Sequence, residues 1–483
     1  MIITDPRAFL STKLPSNGVH INEDGKKVIV ALDVWFDNRR IGMLSIGEMD
    51  KKYITDSGGT RRFVFRFDED AVPEDWIFIG LKPGYMQYAS QKLFPIFEQH
   101  LPEMKLAKFP AWKHTEFALD TMGVLAAAGN RSLAPYRLAT PGMRPTDCIP
   151  ITVTREAITE KGINGEEFFD TLVNRCTHIP GISGVQPKVL VDMSDLMPYD
   201  TDVRTMRTDT HILKIAHTER LRGITLMEHH ALEAARRAGI PAASSFTSDD
   251  GLLLAVERFD VIYGDHDEIL GKRLVQEFCG QLDKTRAQKY EGDLTEAMAP
   301  LLVSDDNSRT AANLLRFYEY VAFNYIIENG DAHLKNFALM RERVGDSPRL
   351  APLYDIVTTS PFTTDIFGAQ DYPALTLLGR RQWSDWNALH EFAHQHCGVS
   401  QVATLDTIDR IAAAVRAQLP VIRNIAENHA TVGEAALRTF GVWERSTASA
   451  LRWSAKKRPE VEAEMAAEKA AEESLAANMA GPR

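Results

Sequence analysis

Apolar and polar positions in the first third of the chain come in short runs. Val28-Ile29-Val30-Ala31-Leu32-Asp33-Val34-Trp35 and Arg62-Phe63-Val64-Phe65-Arg66-Phe67 read as strands, with Ser57-Gly58-Gly59 as a turn. Residues 88–99 and 115–128 read as helices, the second closed by Gly129-Asn130 as a C-cap. Pro141, Gly142, Pro145 and Pro150 fall within residues 138–150, the composition of a linker. Beyond it, β-type runs such as Val189-Leu190-Val191 and Thr210-His211-Ile212-Leu213-Lys214-Ile215 alternate with helical patterns. Residues 225–238 form one such helix, with Glu228 in its first turn and Gly239 as its stop. Gln276-Glu277-Phe278-Cys279 begins another, and residues 307–328 carry an apolar stripe of Leu314, Leu315, Phe317, Val321 and Tyr325. Gly264-Asp265-His266-Asp267-Glu268 reads as a hairpin loop. The Ala- and Glu-rich residues 459–483 predict a solvated helix that frays into a disordered tail. The domain boundaries that follow are 1–140, 150–300, 301–455 and 456–483.

With 483 residues and 44% hydrophobic character the chain buries a large core in two or three domains or lobes. Its start lacks a basic segment followed by a long apolar one, and no apolar run is long enough to span a bilayer, so a cytoplasmic location without a membrane partner is expected. Cys148, Cys176, Cys279 and Cys397 lie far apart without a C-x-x-C pair, which argues for reduced thiols rather than a zinc ribbon or disulfide framework. A formal charge of −11 argues against a stand-alone nucleic-acid binder.

The chemistry concentrates in Asn329-Gly330-Asp331-Ala332-His333-Leu334-Lys335-Asn336, where a carboxylate and a carboxamide stand five residues apart after a helix. In phosphoryl transfer an aspartate takes or orients the proton of the attacking hydroxyl and an asparagine at that spacing holds magnesium. An ordinary Asn-Gly-Asp turn explains the same run equally well. Upstream, Ile179-Pro180-Gly181-Ile182-Ser183-Gly184-Val185-Gln186-Pro187-Lys188 combines two glycines with a lysine before a strand, which suits phosphate approach or a plain hairpin turn; no Walker loop is present. Lys214 at a strand end and Glu228 on the next helix have the types of a phosphate-positioning ion pair, or of a surface salt bridge. His229 and His230 lack further ligands at metal spacing. The apolar run 252–256 ends at Glu257-Arg258-Phe259-Asp260, whose backbone suits the edge of an adenine slot, and Leu350-Ala351-Pro352-Leu353-Tyr354-Asp355 offers a second carboxylate for a metal or a helix cap.

Five blocks in this order resemble the HipA family of serine/threonine kinases, the toxins of HipBA toxin–antitoxin systems: Ser183 to Lys188, His211 to Lys214, Val256 to Asp260, Asn329 to Asn336 and Leu350 to Asp355. Residues 92–103 are similar to the family's amino-terminal subdomain and residues 386–419 to its carboxy-terminal portion, with weaker likeness before 85 and after 440. The resemblance implies an α+β, two-lobed protein-kinase-like fold with a small β-rich N-terminal subdomain and a helical C-terminal lobe. It implies ATP and Mg2+ as cofactors, Asp331 as catalytic base, and Asn336 and Asp355 as metal ligands. Lys214 would hold the phosphates, Glu257 and Phe259 the adenine, and Gly184, Gln186, Lys188 and His333 would also contact nucleotide. The implied partners are a helix-turn-helix antitoxin of HipB type, DNA mainly through that antitoxin, and a protein substrate, with aminoacyl-tRNA synthetases as the family's associated targets.

Two departures stand out. Gly181 occupies the position where HipA-like proteins often carry a serine that is autophosphorylated, so Ser183 is the candidate for that role here, and residues 36–86 are longer and more irregular than the family pattern. Two other classes share parts of this set. A small-molecule phosphotransferase of the aminoglycoside kinase type uses a similar Gly-Asp-x-x-x-x-Asn run, and a co-repressor without kinase activity would keep the fold.

Overall fold

The computed structural model describes residues 18–36, 38–48, 61–72, 87–99, 101, 115–118, 120–129, 133–146, 150–175, 186–193, 208–216, 218–265, 268–302, 307–343, 346–362 and 372–479. The loop over 179–185 with Ser183 and Gly184, the Gly58-Gly59 turn, Cys148 and Cys176 lie outside them. Contacts divide the chain into two units, and each draws on separate stretches of sequence. The first comprises Met1–His217, Ser244–Lys289 and Phe337–Ala351; the second comprises Thr218–Ala243, Tyr290–Asn336 and Pro352–Arg483.

In the first unit the β-rich start is a five-stranded antiparallel sheet in the order Gln87–Ser90, Arg61–Phe67, Arg39–Glu48, Ala31–Phe36, Tyr136–Ala139. The alternation in Arg61–Phe67 aligns Phe65 and Phe67 on one face, where Phe97, Tyr88 and Tyr136 extend a chain of edge-to-face ring contacts. Asp33, buried in this sheet, is compensated by Arg40 at 2.8 Å and by the Gly142 amide at 3.0 Å.

Four sequence expectations change here. The helix expected from residue 88 is confined to Pro95–Glu98, because Gln87–Ser90 pairs with the neighbouring strand and Pro95 holds Phe94 extended, at ψ 134°. The next helix is Thr121–Ala128, set by Asp120, whose Oδ1 accepts from the Gly123 amide at 2.7 Å. Its Gly129 is not left-handed; a Cβ there would lie 2.5 Å from that of Leu138, so the glycine serves close packing. Leu138 and Ala139, expected in the linker, belong to the fifth strand.

A second sheet of the same unit runs Ser245–Thr247, Leu253–Glu257, His211–Ile215, Lys188–Val191, all antiparallel. Val189, Val191, Leu213, Ile215, Leu253 and Ala255 point to one face and bury against Phe169 and Leu172 of the helix Gly165–Arg175. Val261–Tyr263 and Ile269–Lys272 make the expected hairpin. Gln276 and Glu277 close the strand Leu274–Glu277, and the expected helix opens just after them as Phe278–Gln281 with Glu277 at its N-cap; the strand pairs with Ala338–Arg341, which pairs in turn with Arg349–Leu350.

The second unit is mainly helical, built from Ile224–Arg237, Asn307–Ile326, Gln401–Arg416, Leu419–Asn428 and Gly433–Met479. The helix Ile224–Arg237 gives way to a left-handed Gly239 as expected, but Glu228 sits in its second turn, not its first. Asn307–Ile326 buries Phe317, Tyr318, Tyr320, Val321 and Phe323, whereas Leu315 is 41% exposed. The expected separate tail is instead the last part of Gly433–Met479, which continues through Pro459. Arg458 reaches Asp406 at 2.9 Å and Asp409 at 2.8 Å, and Val461 is fully buried, contacts that offset the hydrogen bond the proline removes. Among the described residues no helix is long and apolar enough to cross a membrane.

Buried histidines make this fold acid-sensitive. Burial and the neighbouring His229 pull His230 down to about 4, and burial with Arg155 nearby does the same to His211. The unfolded chain, with imidazoles at the ordinary 6.5, takes up protons that the folded chain refuses, so this stability is intact above pH 6.5 and is lost as pH falls toward 4. The thermal midpoint should fall across that window, and less so in His230→Gln; equal acid slopes for the two proteins would clear His230 of a role.

Candidate active site

The run from Asn329 to Asn336 leaves the helix Asn307–Ile326 through Glu328, whose φ of 55° turns the backbone into a left-handed conformation. Its shape is set by side chains that sequence spacing alone leaves undefined. Asn329 is buried; its Nδ2 donates to Oδ1 of Asn324 at 2.8 Å and its Oδ1 accepts from the Asp331 amide at 3.1 Å. Asn324 in turn donates to the Tyr320 carbonyl, so Asp331 is referenced to the body of the helix. The segment after Asp355 clamps the same turn. Thr359 Oγ1 accepts from the Gly330 amide at 2.8 Å, and Thr358 donates to the Ile327 carbonyl at 2.7 Å while accepting from Trp443 Nε1 at 2.6 Å. The Asn-Gly-Asp run is thus a turn in conformation and a fixed platform in context.

Asn336 joins the two acidic residues. Its Nδ2 donates to the Asp331 carbonyl at 2.9 Å and to the Asp355 carbonyl at 3.3 Å. Both acceptors are backbone oxygens, which can only accept, so the amide orientation is fixed and Oδ1 is turned away from them. Asp355 itself holds φ 56°, a conformation uncommon outside glycine, and Tyr354 anchors it by donating to the Lys335 carbonyl at 2.8 Å. A carboxamide oxygen and a carboxylate on residues tied together through their backbones are the donor types that suit magnesium, which takes one or two protein oxygens and keeps water and phosphate oxygens in its other positions. Among the described residues no group of three or more His, Cys, Asp or Glu side chains is arranged to hold a metal. His333 is buried, with Nε2 4.0 Å from Asp331 Oδ1.

In the first unit, Lys188 and Lys214 are direct cross-strand partners. Strand alternation puts both on the face opposite the packed core, in line with buried Leu190, Leu254 and Val256. Gln186 ties the start of this strand down by donating to the Ile215 carbonyl at 2.9 Å. At the hinge-like run, the Glu257 amide donates to the Ser244 carbonyl and the Phe259 carbonyl accepts from Arg273, so two of its backbone groups already serve the fold. Arg258 holds the run in place: fully buried, it grips Asp260 through two bonds of 3.0 and 2.6 Å and donates to the carbonyls of Asp209 and Leu133.

Asp331, His333, Asn336 and Asp355 therefore come together in the second unit, while Gln186, Lys188, Lys214, Glu257 and Phe259 belong to the first; Glu228, also buried, belongs to the second. Asn324, Thr358, Thr359, Trp443 and Tyr290 lie outside every motif in the sequence. Of these only Asn324 leaves a trace in the pattern, as a polar residue within the buried face of a helix.

A mixed α and β fold carrying a strand-borne lysine pair and an Asp-x4-Asn loop followed by an aspartate is that of a kinase-like phosphotransferase. Residues 181–419 match the model of the HipA-like C-terminal domain, so this part of the chain is HipA-like. It is 25% identical over 342 residues to "Putative kinase Y4mE" of Sinorhizobium fredii, covering 68% of this chain and 77% of that protein. The HipA chain in the Shewanella oneidensis MR-1 structure of the toxin–antitoxin system HipA, HipB and operator DNA is 17% identical, with a TM-score of 0.56. That match covers 88% of this chain and 97% of the other, a likeness of fold.

Proposed function

We propose that this protein is a serine/threonine protein kinase using ATP and magnesium, and the toxin partner of a helix-turn-helix antitoxin of HipB type. The observation that carries the reading is the Asn336 amide held between the backbone carbonyls of Asp331 and Asp355, which ties the three residues named for base and metal to one another. In this reading the Asp331 carboxylate accepts the proton of a seryl or threonyl hydroxyl as its oxygen attacks the γ-phosphorus; the bond to the β–γ bridging oxygen breaks and ADP leaves. Asn336 Oδ1 and the Asp355 carboxylate hold magnesium, which when bound neutralises charge on the phosphate oxygens. Lys214 and Lys188 bind phosphate oxygens, and the Glu257 to Phe259 backbone borders the adenine. Ser183 is the site of autophosphorylation.

The partner reading draws on the HipA, HipB and operator DNA assembly of the Shewanella protein. A net charge of −11 suits DNA contact made mainly through the antitoxin. By family association the protein substrate is an aminoacyl-tRNA synthetase. Incubation with γ-labelled ATP and Mg2+ in the presence of candidate synthetases should place label on serine or threonine of a protein, and phosphopeptide mapping of the same reaction should find Ser183. Label confined to small-molecule acceptors, or no transfer, would overturn the protein-kinase reading.

A further inference from the structure

The phenol of Tyr290 donates to Oδ1 of Asp331 at 2.6 Å, a short charge-assisted hydrogen bond on the oxygen that His333 Nε2 also approaches. Tyr290 is 36% exposed, and a surface hydrogen bond of this type is ordinarily of little consequence. This one is mounted rigidly. The Tyr290 ring meets His333 edge-on at a centroid separation of 5.0 Å, and its carbonyl accepts from Arg381 at 3.1 Å. Immediately downstream, Gly292 and Asp293 are bonded to the segment 376–379: Asp293 Oδ2 accepts from Thr376 at 2.7 Å and from the Gly379 amide at 2.8 Å, and Gly292 and Leu294 exchange backbone bonds with Thr376. These bonds fix the backbone that carries the Tyr290 ring, and the ring contact with His333 sets the side of Asp331 on which the hydroxyl lies.

We propose that Tyr290 is a positioning residue for phosphoryl transfer: its hydroxyl fixes the rotation of the Asp331 carboxylate. A carboxylate has about four lone-pair sites on its two oxygens, so one donor orients it without exhausting its capacity to accept from a substrate hydroxyl. The backbone bonds of residues 329–336 fix where Asp331 begins, and Tyr290 fixes how its side chain is turned. Reactions that depend on alignment lose about 100-fold for a displacement of roughly 1 Å.

This inference rests on the kinase reading, and Tyr290→Phe separates the two because it keeps the ring on His333 and removes only the hydroxyl. In the full-length protein, Tyr290→Phe should lower kcat about 10- to 100-fold, with KM for ATP and directly titrated nucleotide affinity within about twofold of wild type. In an Asp331→Asn background, single-turnover measurement should find no further loss, since the hydroxyl acts through that carboxylate. A wild-type kcat in Tyr290→Phe would overturn the inference alone. So would a raised kcat, which would make Tyr290 a plug, or an equal loss in both backgrounds. Absence of transfer by the wild-type protein would overturn the inference together with the kinase reading.

Discussion

Asp331→Asn should reduce phosphoryl transfer by about 100- to 10,000-fold, the range over which a positioned general base contributes. The substitution nearly preserves size, and the bonds that shape the loop run through the Asp331 backbone: its amide donates to Asn329 and its carbonyl accepts from His333 and Asn336. The loop should therefore stay in place while the proton acceptor is lost. The expected signature is a fall in kcat with KM for ATP little changed, measured by steady-state transfer from ATP in the presence of Mg2+. Activity within tenfold of wild type would leave Asp331 without the role of base.

Trp443→Ala should destabilise the protein by about 3–5 kcal/mol, the usual result of removing a buried tryptophan. Trp443 is fully buried, and its indole donates to Thr358 Oγ1, which itself donates to the Ile327 carbonyl two residues before the candidate catalytic loop. The substitution opens a cavity and removes one partner from a buried hydroxyl at once. Denaturant titration followed by circular dichroism should show the midpoint shift, and Trp443→Phe should lose less because most of the packing survives. A loss below about 1 kcal/mol in Trp443→Ala would mean that the site collapses around the gap. The same chain of bonds predicts that both variants lose activity earlier in the titration than helical signal.

The candidate site was legible where its chemistry is local. Asp331 and Asn336 lie five residues apart and bond within the loop that joins them, so their nearness follows from spacing, whereas the clamps from Asn324, Thr358 and Thr359 do not. Lys188 and Lys214 were legible one at a time; that they face one another depends on the register between Lys188–Val191 and His211–Ile215, which spacing does not state. Tyr290 left no signal, because 41 residues separate it from Asp331 and its role comes from how segments 290–294 and 376–379 bond to each other. Residues 88–90 show the same limit in the fold: their local pattern fits a helix, and pairing with Phe63, Val64 and Phe65 makes them a strand.

By itself the amino-acid sequence determined the mixed α and β composition, the order of the motifs and the residue types at the candidate site, because periodicity, turn chemistry and short-range spacing are properties of neighbours along the chain. Tertiary structure alone decided that the helix Ile224–Arg237 joins the second unit while the strands on either side of it stay in the first. It also decided that Asn336 bridges Asp331 and Asp355, and that the terminal helix runs through Pro459. Each of those outcomes depends on bonds and burial between residues far apart in sequence, which override a local preference worth only about 1–3 kcal/mol.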